Sequence, residues 1–311
     1  MKIIAWILIG IICLILVALL YYLIVGAIIF HFSLGRKELK NRVKKNNLKN
    51  NLEKYKIDLC WWDNLPFKKV SVLSFDNLKL VGHYLDLKSD RTVILVHGYS
   101  ANYKEMQQYA KFFHQKNFNI LCVENRGHGE SEGSFVGMGW TDRKDLMNWI
   151  DFLNKESSSK IVVMGISMGA SAVCCLSGEK LPSNVVGLIA DSPFDNAERE
   201  IKYVLRKTGI FKNILVKHLR SYAKRIHGFD LAEADMIKCV KKTKTPILYI
   251  HGKLDTYVLP ENSINLYNST SEFLREIVLV DEAGHVMSYP VLGNLYECKI
   301  NNFFKKFHIF D

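Results

Sequence analysis

The run Gly165-Ile166-Ser167-Met168-Gly169 constrains this chain more than any other stretch. It follows the apolar Lys160-Ile161-Val162-Val163-Met164 and precedes the small residues Ala170-Ser171-Ala172-Val173. The order reads strand, sharp turn, helix, with a serine at the tip. Glycines two residues either side of Ser167 let backbone pass close to the turn. A serine hydroxyl attacks a carbonyl only when a base takes its proton and donors hold the resulting oxyanion. The first turn of the helix beyond Ser167 supplies N–H groups for that charge.

Three fixed positions are a weak signal alone, so the rest of the chain has to supply a base and an acid. An acid, Asp255, follows the strand-like Pro246-Ile247-Leu248-Tyr249-Ile250 in the run His251-Gly252-Lys253-Leu254-Asp255. A histidine, His285, follows Glu276–Val280 in Ala283-Gly284-His285. The chain order Ser, Asp, His is that of a triad built on a sheet of parallel strands. Ser167 is the expected nucleophile, His285 the base and Asp255 the group that orients the imidazole. Rivals exist. Asp191 ends the strand-like Val185–Ala190, and Asp281 precedes the histidine loop. His128 sits in a turn, and His251 precedes Asp255 in a way that suits a turn.

Apolar runs and helical spacings alternate along the domain. Val70–Phe75 and Lys79–Asp86 flank the turn signal Asp76-Asn77 and read as an antiparallel hairpin at a sheet edge. Thr92–Val96, Asn119–Val123, Lys160–Met164, Val185–Ala190, Pro246–Ile250 and Glu276–Val280 read as strands separated by helical segments. The pattern predicts an α/β fold with a mostly parallel central sheet and helices on both faces. The gap from about 194 to 243 is too long for a plain crossover and reads as a helical cap. Within it Phe211, Leu215, Leu219, Tyr222 and Ile226 recur at helical spacing, with Lys212, Arg220, Lys224 and Arg225 between them. An inward-packed apolar stripe is the expectation, and a membrane-surface helix the alternative.

Four motifs carry a resemblance: His97-Gly98-Tyr99-Ser100 after a strand, Arg126-Gly127-His128-Gly129-Glu130-Ser131 after the next, the elbow at Ser167, and the Asp255/His285 pair. On these the chain resembles the α/β-hydrolase superfamily over about residues 69 to 307. The similar branch includes monoacylglycerol lipases, bacterial carboxylesterases and serine aminopeptidase-like proteins. The resemblance implies an oxyanion hole from the backbone N–H groups of Met168 and Tyr99. It also implies that His97 braces the oxyanion loop. Dehalogenases and epoxide hydrolases of that fold carry an aspartate where this chain has Ser167. No dinucleotide, P-loop or H-E-x-x-H motif occurs, so no cofactor and no metal are expected.

Ile3 through Phe30 contain no charged residue. As a helix this run is about 42 Å long against roughly 30 Å of hydrocarbon, enough to span with tilt. It exceeds the apolar region of a cleaved signal peptide, and no A-x-A pattern closes it. Only Lys2 precedes it, whereas Arg36, Lys37, Lys40, Arg42, Lys44, Lys45, Lys49, Lys54 and Lys56 follow, opposed by Glu38 and Glu53. That asymmetry places the following domain on the cytoplasmic side of a single-pass membrane protein. Much of the net charge of +11 is therefore local to one segment, and no basic module interleaved with aromatics points to nucleic acid. The seven cysteines are scattered without disulfide or zinc spacing, which suits a reducing compartment.

The expected organisation is an anchor over 1–31, a basic linker over 32–58 and a hydrolase domain over 59–311. The expected function is a membrane-anchored serine hydrolase acting on a small-molecule carboxylic ester, lipid esters and thioesters included. A peptidase or amidase of the same fold is the alternative within enzymes, with Glu198, Glu200, Glu233 and Asp235 available to hold a substrate amine. A non-catalytic membrane scaffold is the alternative outside them.

Overall fold

The computed structural model describes residues 2–36, 60–209 and 211–310. The basic run 37–59 lies outside the described residues. An eight-stranded sheet forms the centre, in the order β1-β2-β4-β3-β5-β6-β7-β8. Its strands are β1 (Lys68–Leu73), β2 (Lys79–Leu85), β3 (Arg91–Val96), β4 (Asn119–Val123), β5 (Lys160–Ile166), β6 (Val185–Asp191), β7 (Ile247–Gly252) and β8 (Arg275–Val280). From β4 to β8 every pairing is parallel. Strand β2 runs antiparallel to both β1 and β4, so the expected hairpin forms the edge. Its turn is made by Asn77 in the left-handed region (φ 64°), and Ser74 Oγ accepts the Leu78 N–H.

The helices are α1 (Lys2–Leu34), α2 (Cys60–Asp63), α3 (Gln107–Gln115), α4 (Asp142–Glu156), α5 (Met168–Leu176), α6 (Ala197–Val204), α7 (Phe211–His227), α8 (Met236–Val240), α9 (Glu261–Ser269), α10 (Ser288–Leu292) and α11 (Asn294–Lys306). Strands β3 to β7 are almost wholly buried, because helices cover both faces. One core face gathers Trp149, Leu146 and Ile150 of α4 with Val173 and Leu176 of α5. The other gathers Tyr109, Phe112 and Phe113 of α3 with Tyr296, Ile300 and Phe303 of α11. Cys122, Cys174, Cys175 and Cys239 are free thiols buried in this packing.

The segment between β6 and β7 is helical, as expected of a cap, and comprises α6, α7, α8 and two short 3₁₀ turns. Its long helix α7 departs from the expected stripe. Val216, Leu219 and Ala223 are buried, while Phe211 and Ile226 are exposed. The partner that selects this face is α1. Residues 2–21 of α1 are exposed throughout, but from Tyr22 onward one side of the helix packs on α7 and on the 129–136 loop. The two helices run parallel, with Tyr22 against His218, Gly26 against Tyr222 and Phe30 against His227. A Cβ on Gly26 would lie 2.9 Å from the Tyr222 Cβ, so the glycine lets the helices approach. Helix α1 therefore continues past residue 31, and residues 32–36 pack on the domain where a linker was expected to begin.

Candidate active site

Three parallel strands end on one side of the sheet, and each hands one polar group to the same place. Strand β5 ends at Ser167, whose φ of 52° and ψ of −120° form the strained turn expected of an elbow. The turn is held by the Ser167 N–H, which donates to the Asp191 carbonyl at 2.8 Å. Side chains at either glycine would break it. A Cβ on Gly165 would meet the Gly169 carbonyl carbon at 2.3 Å, and one on Gly169 would meet the Val96 carbonyl oxygen at 2.2 Å. The loop after β7 supplies Asp255, and the loop after β8 supplies His285.

These groups form one continuous hydrogen-bonded line. Ser167 Oγ lies 2.9 Å from His285 Nε2, and His285 Nδ1 lies 2.6 Å from Asp255 Oδ2. The other Asp255 oxygen accepts the Tyr257 and Val258 N–H groups at 2.9 Å each. Burial opposes the Asp255 charge, but hydrogen bonds from His251 and His285 outweigh it and hold the carboxyl well below the usual range. With Asp255 ionised, the short contact fixes the proton on His285 Nδ1 and leaves Nε2 facing the serine.

His251 does more than suit a turn. Its Nε2 lies 3.2 Å from Asp255 Oδ2 and 3.0 Å from the Val258 carbonyl, so this nitrogen carries the proton. Its Nδ1 then accepts the Ser263 hydroxyl at 2.6 Å. Asp255 is thus gripped by two imidazoles, a feature the sequence hinted at only through the four-residue spacing of His251 and Asp255.

The rival groups are engaged elsewhere. Asp191 is buried and accepts from Tyr296 at 2.8 Å and Ser192 at 3.0 Å. Asp281 pairs with Lys253 at 2.5 Å on the surface. His97 is fully buried, donates from Nδ1 to the Gly98 carbonyl and accepts the Asn125 N–H at Nε2. Burial pushes its pKa down to about 4, against weaker support from the Gly98 carbonyl and Glu124. His97 is therefore neutral and ties the 98–100 loop to the loop after β4. A Cβ on Gly98 would lie 3.2 Å from the Ser167 Cβ, which brings the Gly98-Tyr99 backbone against the serine. Met168, whose N–H is the other expected oxyanion donor, opens α5 directly after Ser167. Among the described residues no cluster of His, Cys, Asp and Glu has a metal-holding arrangement.

A cavity of about 150 Å³ opens beside Ser167. Its lining is largely apolar and includes Leu34, Met138, Phe194, Ile201, Leu205 and Val258. Glu200 of α6 is the charged residue in that lining. It lines this cavity at 7% exposure, and its Oε1 has no hydrogen-bond partner among the described residues. Burial, followed by the charges of Asp255 and Asp195, raises its pKa to about 8. The other acidic cap residues are occupied: Glu198 pairs with Lys202, Glu233 accepts from Trp140, and Asp235 caps α8.

The same fold recurs in known proteins. A family model described as serine aminopeptidase, S33, matches residues 88–230. An esterase from Pyrococcus furiosus superposes with a TM-score of 0.65 at 23% identity, over 82% of this chain and 95% of that one. The chain has the α/β-hydrolase fold. Two Bacillus subtilis proteins are also similar to this chain. YqkD is 23% identical over 71% of this chain and 73% of its own length. A carboxylesterase is 20% identical over 70% of this chain and 93% of its own length.

Proposed function

We propose that this chain is a membrane-anchored serine hydrolase that cleaves carboxylic esters through an acyl-enzyme. The observation that carries the reading is the unbroken line from Ser167 Oγ through the His285 ring to Asp255, at the edge of an apolar cavity. His285 Nε2 takes the serine proton as Oγ bonds to the ester carbonyl carbon. The Met168 and Tyr99 N–H groups stabilise the oxyanion. The imidazolium, stabilised by Asp255, then protonates the leaving alcohol oxygen as its bond to carbon breaks. Water attacks the acyl-serine with His285 again as base, which releases the acid and restores Ser167.

A fluorophosphonate probe tests this directly. The wild type is expected to label, and Ser167→Ala to lose labelling and about 10⁴-fold or more in turnover. A folded wild type with neither labelling nor a burst on p-nitrophenyl esters would instead favour the scaffold reading.

Glu200 favours a second reading. A buried carboxyl in the cavity, with one oxygen unbonded among the described residues, suits a substrate amine, as a peptidase would require. Equal or better turnover of aminoacyl amides than of simple esters, abolished in Glu200→Gln, would support it.

The anchor is part of the proposal. By length and composition α1 suits a single membrane crossing or a signal sequence. Its packing favours the crossing, because cleavage would uncover Phe135, Tyr222 and His227. The basic residues after α1 favour a cytoplasmic domain. The full-length protein is expected in the membrane pellet after alkaline carbonate extraction.

A further inference from the structure

The last turn of α1 enters the cavity beside Ser167. Ser33 and Leu34 stand in the lining with Tyr99 and Met138, and Leu34 is only 1% exposed. Backbone bonds hold it there. The Val136 N–H donates to the Leu34 carbonyl at 2.9 Å, and the Arg36 N–H donates to the Ser134 carbonyl at 3.1 Å. The Arg36 guanidinium donates to the Gly129 and Gly133 carbonyls at 3.0 and 3.2 Å. The Tyr99 hydroxyl donates to the Ser33 carbonyl at 2.5 Å, so the helix end is also tied to the loop that carries an expected oxyanion donor. One turn earlier Phe30 stacks on His227, with ring centroids 4.4 Å apart.

A tether needs none of this. A helix that only fixed the domain to a bilayer could leave through a free linker or dock away from the serine. Here an apolar side chain of the anchor is presented to the cavity, and its backbone is fixed on both sides of that residue.

We infer that Leu34 is a specificity-determining residue and that the N-terminal helix supplies one wall of the acyl pocket. The inference rests on the reading of Ser167 as a nucleophile toward esters. It also names the substrate class, because a wall at Leu34 closes the cavity at about 150 Å³. An apolar cavity of about that volume holds a benzene-sized group. The acyl group is therefore short, about six carbons or fewer, and a longer chain must leave past the exposed rim at Val204 and Tyr257.

The test is a series of p-nitrophenyl esters from acetate to laurate, hydrolysed by the full-length protein in detergent micelles. The wild type is expected to peak at or below hexanoate. Leu34→Ala opens the wall, so its optimum moves up by about two carbons and its octanoate-to-butyrate ratio of kcat/KM rises about tenfold. Leu34→Phe lowers the same ratio. Leu34→Val, a milder truncation, moves it about threefold in the direction of Leu34→Ala and covers the case in which alanine costs the fold. A merely structural role depresses every ester alike and leaves the ratio unchanged, and that result overturns the inference. A wild type that turns over no ester and takes no fluorophosphonate overturns the ester reading itself, and the pocket wall with it. An active wild type with an unmoved ratio overturns only the wall.

Discussion

Glu200 meets two opposing demands. Burial favours its neutral acid, whereas rising pH favours a charge that Asp255 and Asp195 oppose and Arg206 only partly offsets. Below pH about 8 the carboxyl is protonated, and on the proposed reading the cavity then takes an apolar acyl group. Above that pH the charge draws water in and competes with the acyl group. The KM for a neutral ester is therefore expected to rise several-fold through this window with little change in kcat, and Glu200→Gln to flatten the profile. A wild-type KM that stays level up to pH 9 would place the Glu200 charge outside the acyl site. Ser167, Asp255 and His285 were legible because each follows an apolar run that predicts a strand end, and strand ends converge. Glu200 and His251 were not. One lay among four acidic cap residues and the other in an apparent turn. Their roles depend on which neighbour is missing, or present, across the fold.

Among the elements, α7 shows how a partner overrides a pattern. Its spacing marked Phe211, Leu215, Leu219, Tyr222 and Ile226 as one inward stripe. The buried face is rotated to Val216, Leu219 and Ala223, and Tyr222 faces α1. No periodicity within α7 could include a helix nearly two hundred residues away in sequence. Gly26→Leu puts bulk against the Tyr222 Cβ and is expected to part the two helices. Overpacking of this kind costs about 1–3 kcal/mol. Trypsin should then cut at the exposed Lys224 and Arg225 about tenfold faster, since cleavage follows local opening. An unchanged rate would mean that α7 is held by the domain without help from α1. Phe211 and Ile214 at the start of α7 are exposed.

The molecule divides its apolar N-terminal run in two. Residues 3–21 are exposed and extend about 28 Å as a helix, close to the roughly 30 Å of a hydrocarbon core. The remainder packs on the domain. Stability of the whole also carries a pH signature from His97, which is neutral when folded. Its pKa of about 4 lies below the ordinary 6.5, so the unfolded chain binds the proton first and stability is lost as pH falls from about 6.5 toward 4. The loss is about 3 kcal/mol for this residue. Raised carboxyls such as Glu200 titrate with the opposite sign, so the clean measurement is a difference. The stability gap between wild type and His97→Asn in urea unfolding should shrink by that amount from pH 7 to pH 4. A constant gap would show that His97 protonates equally in both states. By itself the sequence determined the sheet, the strand ends and the Ser, Asp, His order, because those follow from local periodicity and turn chemistry. Only the tertiary structure decided that the end of the apolar N-terminal helix lines the cavity beside Ser167, that α7 turns a different face inward, and that one Glu200 oxygen has no hydrogen-bond partner among the described residues. Each of these depends on contacts between distant segments, and such contacts leave no periodic trace along the chain.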